Sequence, residues 1–287
     1  MYIMDKEKRQ NDREGSEEKD FSGSLEELED TGEPLSLEEL VDLGVFEPMP
    51  VDELTDLIET EQKDESPNEW MVACLYYQRG CARDWDSDAT AAEEDYIRAS
   101  KILESINDDT DKLNQLTLLV QCYDVLGNLY SYTKQNEKAF SAYTKGIEVA
   151  STPLCCYGSL GDMFYKRGLR AFADNRFSEA LEDFCAAINE QPDNWEMLTL
   201  RGICYFILGQ FQDAICDYSK ALLTKPEDLS GFDKTSRKLI QEYCFFQNKR
   251  AEDKSAILEL RAQCFEEIGL FDKAIADRKQ AREEDAE

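Results

Sequence analysis

Histidine is absent from all 287 residues. Without it there are no Ser–His or Cys–His nucleophile pairs, no imidazole-ligated zinc and no imidazole proton shuttle. A glycine-rich phosphate loop is missing as well. The ten cysteines contain no Cys-x-x-Cys pair, so no redox or thiolate-zinc spacing stands out. No apolar run approaches the roughly 18 residues of a membrane span. The opening MYIMDKEKRQ is too poor in apolar residues for a secretory signal. Strand signals are scarce: β-branched runs are short and no Asn-Gly hairpin turn occurs. Positive charge is in short supply, with 32 Lys and Arg against 62 Asp and Glu and a formal net charge of −30. Phosphate backbones and acidic lipid headgroups repel such a polyanion, which excludes broad nucleic-acid or membrane-surface binding and favours a basic protein partner. In so acidic a chain carboxylate pairs arise by chance. The expectation is a non-catalytic protein with no cofactor and no metal. Cys81, Cys122, Cys185, Cys204, Cys216 and Cys264 sit inside helical patterns, where a thiol packs as a small apolar group, and reduced cysteines suit a cytoplasmic location. Cys155 and Cys156 are adjacent and ill-placed to bridge.

What is present is a period. Gly168 is followed by FSEALEDFCAAINEQP, ending at Pro192; Gly202 is followed by FQDAICDYSKALLTKP, ending at Pro226. Ala180 and Ala214 set the offset at 214 − 180 = 34 residues. A fixed period of this length marks stacked helical units, each burying its apolar face only against its neighbours. From Asn68 onward, apolar residues recur at three- and four-residue spacing, which predicts helix after helix. Residues 1–66 differ: 23 acidic and 6 basic residues, a net of 6 − 23 = −17. That segment reads as a largely disordered arm with short amphipathic pieces. Ser36 and Glu39 form a capping box, Gly44 is a stop, and Asp52 opens a helix carrying Leu54, Leu57 and Ile58. Ser24 and Ser36 each have a glutamate three places on, a pattern shared by helix caps and acidophilic kinase sites. The far end, AREEDAE, is charged and reads as frayed.

The units resemble the tetratricopeptide repeat. One copy, 195–228, carries Leu198, Gly202, Tyr205, Ala214, Tyr218, Ala221 and Pro226 at the family's places. The copy from 161 carries Phe164, Gly168, Ala180, Phe184, Ala187 and Pro192. A copy near 120 has Tyr123, Leu126, Gly127, Tyr130, Ala139 and Tyr143, with Gly146 where alanine is usual. A copy near 255 has Leu258, Ala262, Phe265, Gly269, Ala274 and Ala281, with Arg278 at the aromatic place. A weaker copy near 73 has Tyr76, Gly80, Ala92, Tyr96 and Ala99. The resemblance implies an all-α fold, a right-handed superhelical array of antiparallel helix pairs over 67–287, with about five units. Its glycines and alanines let paired helices approach, its aromatics fill the seams, and its prolines stop the second helix. The gaps of 47 residues (92 to 139) and 41 residues (139 to 180) point to longer helices, one beginning near Leu113. The gap of 60 residues from 214 to 274 leaves room for an inserted helix at about 227–254, with Leu239, Ile240, Tyr243 and Phe246 on one face. Its basic residues make it a candidate dock for the acidic arm.

In this family the first helix of each pair lines a concave groove that holds a peptide or a helix. The version that clamps acidic chaperone tails places lysine, asparagine and arginine there. Here the matching places hold Asp124, Asn128, Lys166, Glu196 and Leu200. Only Asn128 agrees outright, so a co-chaperone lacking the usual carboxylate clamp is the alternative to a general adaptor. The groove set is instead Asn128, Tyr165, Lys166, Leu169, Phe172, Leu200, Ile203 and Phe206, largely apolar and suited to a helix with anchors at helical spacing. Val45 to Ile58 is a candidate internal occupant.

Overall fold

The computed structural model describes residues 49–107, 111–155, 160–224 and 254–284. All regular structure among them is helical: α1 Val51–Gln62, α2 Glu69–Trp85, α3 Ala89–Ser105, α4 Lys112–Tyr132, α5 Asn136–Ala150, α6 Leu160–Ala173, α7 Phe177–Glu190, α8 Trp195–Ile207, α9 Phe211–Thr224, α10 Lys254–Glu267 and α11 Phe271–Glu284. The last ten form five antiparallel pairs, from α2/α3 to α10/α11, and each second helix packs against the first helix of the next pair. The weak copy near 73 is therefore a full helix pair. Helix α4 runs for 21 residues and absorbs part of the long spacing around it.

Local signals explain the helix ends. Asn68, Asp88 and Asn194 accept hydrogen bonds from the backbone N–H of Met71, Ala91 and Met197 respectively, each at 3.1 Å. Every first helix stops in one way. Ser87, Lys134, Asn175, Gly209 and Gly269 all have φ between 60° and 76° and stand at one place in their units. The next amide closes the turn, as Gln135 N–H does on the Tyr130 carbonyl and Gln210 N–H on the Tyr205 carbonyl, both at 2.8 Å. A side chain is strained in this left-handed conformation, by about 1–2 kcal/mol. Lys134→Gly should therefore raise stability by about 1 kcal/mol, net of glycine's entropy, read as a higher urea midpoint at unchanged slope. An unchanged or lower midpoint would show the lysine unstrained.

Within the pairs, missing side chains make room for rings. A Cβ added at Gly80 or Gly202 would stand 2.6 Å from the Tyr96 or Tyr218 ring, and one at Gly168 would stand 2.9 Å from Phe184. Gly127 abuts Tyr143 in the same way. Met163 of α6 fills the space over Gly146 and explains the absence of alanine there. The last pair breaks the rule on both sides at once: Ala262 replaces the glycine, and Arg278 replaces the ring. Arg278 turns to Glu259 at 2.8 Å and to Glu266.

A second motif ties the seams. Arg79, Arg167, Arg201 and Arg261 each fork onto the aspartate 16 residues ahead, Asp95, Asp183, Asp217 and Asp277, by two hydrogen bonds of 2.6–2.9 Å. The third donor of each reaches back to the preceding second helix: Thr55, Thr144, Cys185 and Ser219. Thr55 lies on α1, so α1 stands where the second helix of a preceding unit would stand and closes that end of the stack. The α4/α5 pair has Leu126, Ala142 and, before them, Ile97 at the three corresponding places, all apolar.

As expected, a helix carries Leu54, Leu57 and Ile58; Leu54 and Ile58 are buried against α2 and Leu57 is 40% exposed. Met49–Glu287 is one compact unit, so α1 belongs with the array. At the other end α11 is helical as far as Glu284, with Ala281 buried, and the last three residues of the stretch read as frayed lie outside the described residues. The capping box at Ser36, the stop at Gly44, Ser24 and the inserted helix around Leu239 all lie outside the described residues. None of the helices is long and apolar enough to cross a membrane among the described residues. The eight described cysteines are free; Cys122, Cys204 and Cys264 are buried, whereas Cys81 and Cys216 are exposed and do not pack as expected. Burial pushes the Cys264 thiol up to about 12, leaving it a poor nucleophile.

Candidate partner-binding surface

Consecutive first helices lie side by side, and polar residues join them. Lys166 of α6 donates to both carboxylate oxygens of Asp124 on α4, at 2.9 and 3.2 Å, and pairs with Asp162 one turn back on its own helix at 2.7 Å. Burial alone would lower the Lys166 pKa. Asp124 and Asp162 outweigh that effect and hold it above the usual lysine range. The ammonium is thus already committed to two carboxylates. Asn128, one turn after Asp124, accepts from the Tyr143 hydroxyl at 2.9 Å, and Ser131 Oγ stands 3.3 Å from the same oxygen. Burial pushes the Tyr143 phenol up to about 12. Ser131, Lys166 and Arg170 pull against that rise, and Asp124 adds to it.

The apolar members of the predicted groove fall elsewhere. Tyr165, Leu169, Phe172, Leu200 and Ile203 are buried, all within one cluster with Phe184, Ala214, Tyr218 and Ala256. Phe206 is partly buried, packed on that cluster and edge-on to Phe211 at 5.6 Å. The structure therefore brings Asn128 and Lys166 together around Tyr143, gathers the five apolar residues beneath the α6–α8 seam, and leaves Phe206 at that seam's edge. Of the segment offered as an internal occupant, residues 51–58 lie in α1 against α2 and are not over α6 and α8. The chaperone-clamp places are filled adversely, since Asp124 binds Lys166 and Glu196 is buried on α8.

Arg170 was not singled out by its sequence. It lies one turn beyond Lys166 on α6, is only 9% exposed, and its Nε–H has no hydrogen-bond acceptor. Among the described residues no carboxylate pairs with it. The signal available in the letters was its place: Ala82, Leu129, Cys204 and Cys264 occupy the same register in the other units, and all are buried.

Comparison with known proteins agrees with this geometry. Residues 165–228 match one family model of the tetratricopeptide repeat, and residues 120–153 match another. No curated protein matches the sequence. Among solved structures, YrrB, described as a TPR protein with an unusual peptide-binding site, aligns over 82% of this chain and 93% of its own, at 14% identity and a TM-score of 0.55. MamA aligns over 75% of this chain and 92% of its own, at 18% identity and a TM-score of 0.52. Identities this low speak to the fold. With the 34-residue register, the paired helices and the matched repeats in agreement, this chain carries tetratricopeptide repeats and has the fold of a tetratricopeptide-repeat array.

Proposed function

We propose that the array is a non-catalytic adaptor that holds a segment of a partner protein along its first helices. The observation that carries this reading is the α4–α6–α8 surface. Asn128 and Lys166 lie partly exposed around Tyr143, and Phe206 lies partly exposed at the edge of a packed cluster that includes Tyr165, Leu169, Phe172, Leu200 and Ile203. A cluster already packed needs little reordering on binding, which lowers the entropic cost of association. The net charge of −30 favours a basic segment. The free thiols are in keeping with a reducing compartment such as the cytoplasm. A peptide-binding site is named for YrrB, which shares the fold, and the same use of the surface is inferred here.

A photo-crosslinking amino acid placed in the full chain at Phe206 or Ser131, and separately at exposed Glu182 on α7, tests the assignment in cytosol. Covalent capture of a common partner is expected from the first two positions and little from the third. Equal capture from Glu182, or none from Phe206 and Ser131, would reject the first-helix surface.

A further inference from the structure

Arg170 sets a problem that the adaptor reading does not solve. Arg79, Arg167, Arg201, Arg261 and Arg278 are each met by at least one carboxylate in two-pronged geometry. Arg170 is more buried than any of them except Arg79, yet it has no anion among the described residues. Its neighbour one helical turn away, Lys166, is a like charge already paired with Asp124 and Asp162 and offers it nothing. One turn ahead, Asp174 accepts from Asn136 and lies near Arg176 instead. A buried guanidinium with an unsatisfied donor is costly to keep, and an apolar residue of similar size would cost less. The other units show that the fold accepts one, since Leu129 and Cys204 fill this place.

We propose that Arg170 is the anchor of an oxyanion site at the α4–α5–α6 junction, and that its ligand is a carboxylate. The Tyr143 hydroxyl lies within electrostatic reach of Arg170, donates to Asn128 and stands 3.3 Å from Ser131 Oγ, so three neutral polar groups are gathered on that side. A planar carboxylate matches the guanidinium fork, and neutral hydroxyl donors can turn to it without a further charge. The place differs from the family's tail clamp, two positions of which here are Asp124 and Glu196. Only the source of the carboxylate, an acidic residue of a bound segment, rests on the adaptor reading; the site itself is testable with a small anion.

Acetate is the probe, titrated into the full chain against chloride at constant ionic strength. The Nε–Hε resonance of Arg170, identified by its loss in Arg170→Lys, should shift saturably with acetate and not with chloride. At tenfold excess over half-saturation the thermal midpoint should rise by roughly 3–5 °C. Arg170→Met should fold and lose this acetate response. Arg170→Lys, which keeps the charge but not the fork, should bind at least tenfold more weakly and remains informative if the methionine variant does not fold. An unmoved Arg170 resonance, or an equal midpoint rise in either variant, would overturn the site. Either result leaves the crosslinking test of the adaptor surface independent.

Discussion

Arg201→Ala should destabilise the array by about 2–4 kcal/mol, seen as a lower urea midpoint, whereas a triple change at the same place should not. Arg201 holds both oxygens of Asp217 at 2.7 Å and reaches Cys185 on the preceding unit. Truncating it strands a carboxylate whose residue is only 4% exposed. Removing one member of a buried pair costs about 3–5 kcal/mol. The Arg201 side chain retains 19% exposure, so water partly screens the stranded charge and the lower end applies. The chain contains its own control. The α4/α5 pair has Leu126 and Ala142 at the places of the ion pair, and Ile97 at the place of the third contact. The triple variant Arg201→Leu, Asp217→Ala, Cys185→Ile copies that solution and should lie within about 1 kcal/mol of the wild type, because both charges leave together. A triple variant as unstable as Arg201→Ala would show that the apolar set works only in its own seam.

This ladder also shows where sequence reasoning stopped. The glycine, alanine and aromatic places were legible because sterics leave few residue types able to fill them. In four of the five pairs, the arginine before the glycine place and the aspartate before the aromatic place stood in the same letters at a constant 16-residue separation. Among 62 acidic residues an aspartate carries little weight until geometry gives it a partner. Which groove residues are exposed was ambiguous for a different reason. A first helix buries one face against its own partner and another against the preceding unit, so apolar spacing alone does not say which of Tyr165, Leu169 or Leu200 faces outward. Leu57 is left exposed on α1, whose packing among the described residues is against α2. Arg170 was invisible for the converse reason: its letters are those of an ordinary solvated helix cation, and only the packing around it removes the solvent.

Gly202→Ala should cost about 2–3 kcal/mol, the other large effect expected of a single methyl group. In an open helix this change would stabilise, since alanine is the better helix former by about 1 kcal/mol. Here the new carbon would stand 2.6 Å from the Tyr218 ring, which is fully buried and cannot swing aside. Overpacking of this kind costs about 1–3 kcal/mol and separates α8 from α9. If the ring is the cause, Tyr218→Leu should make the alanine tolerable. The cost of Gly202→Ala measured on the Tyr218→Leu background should then fall below about 1 kcal/mol, a coupling that a double-mutant cycle reads directly. The last pair supports this expectation, because Ala262 is accommodated where Arg278 has replaced the ring and turned aside to Glu259 and Glu266. Ala262→Gly should accordingly behave as an ordinary helix substitution and lose about 1 kcal/mol. If Gly202→Ala costs as much without the tyrosine ring as with it, the glycine is required by backbone approach alone, and the reciprocal fit of small residue and ring is not what sets the spacing of the pair.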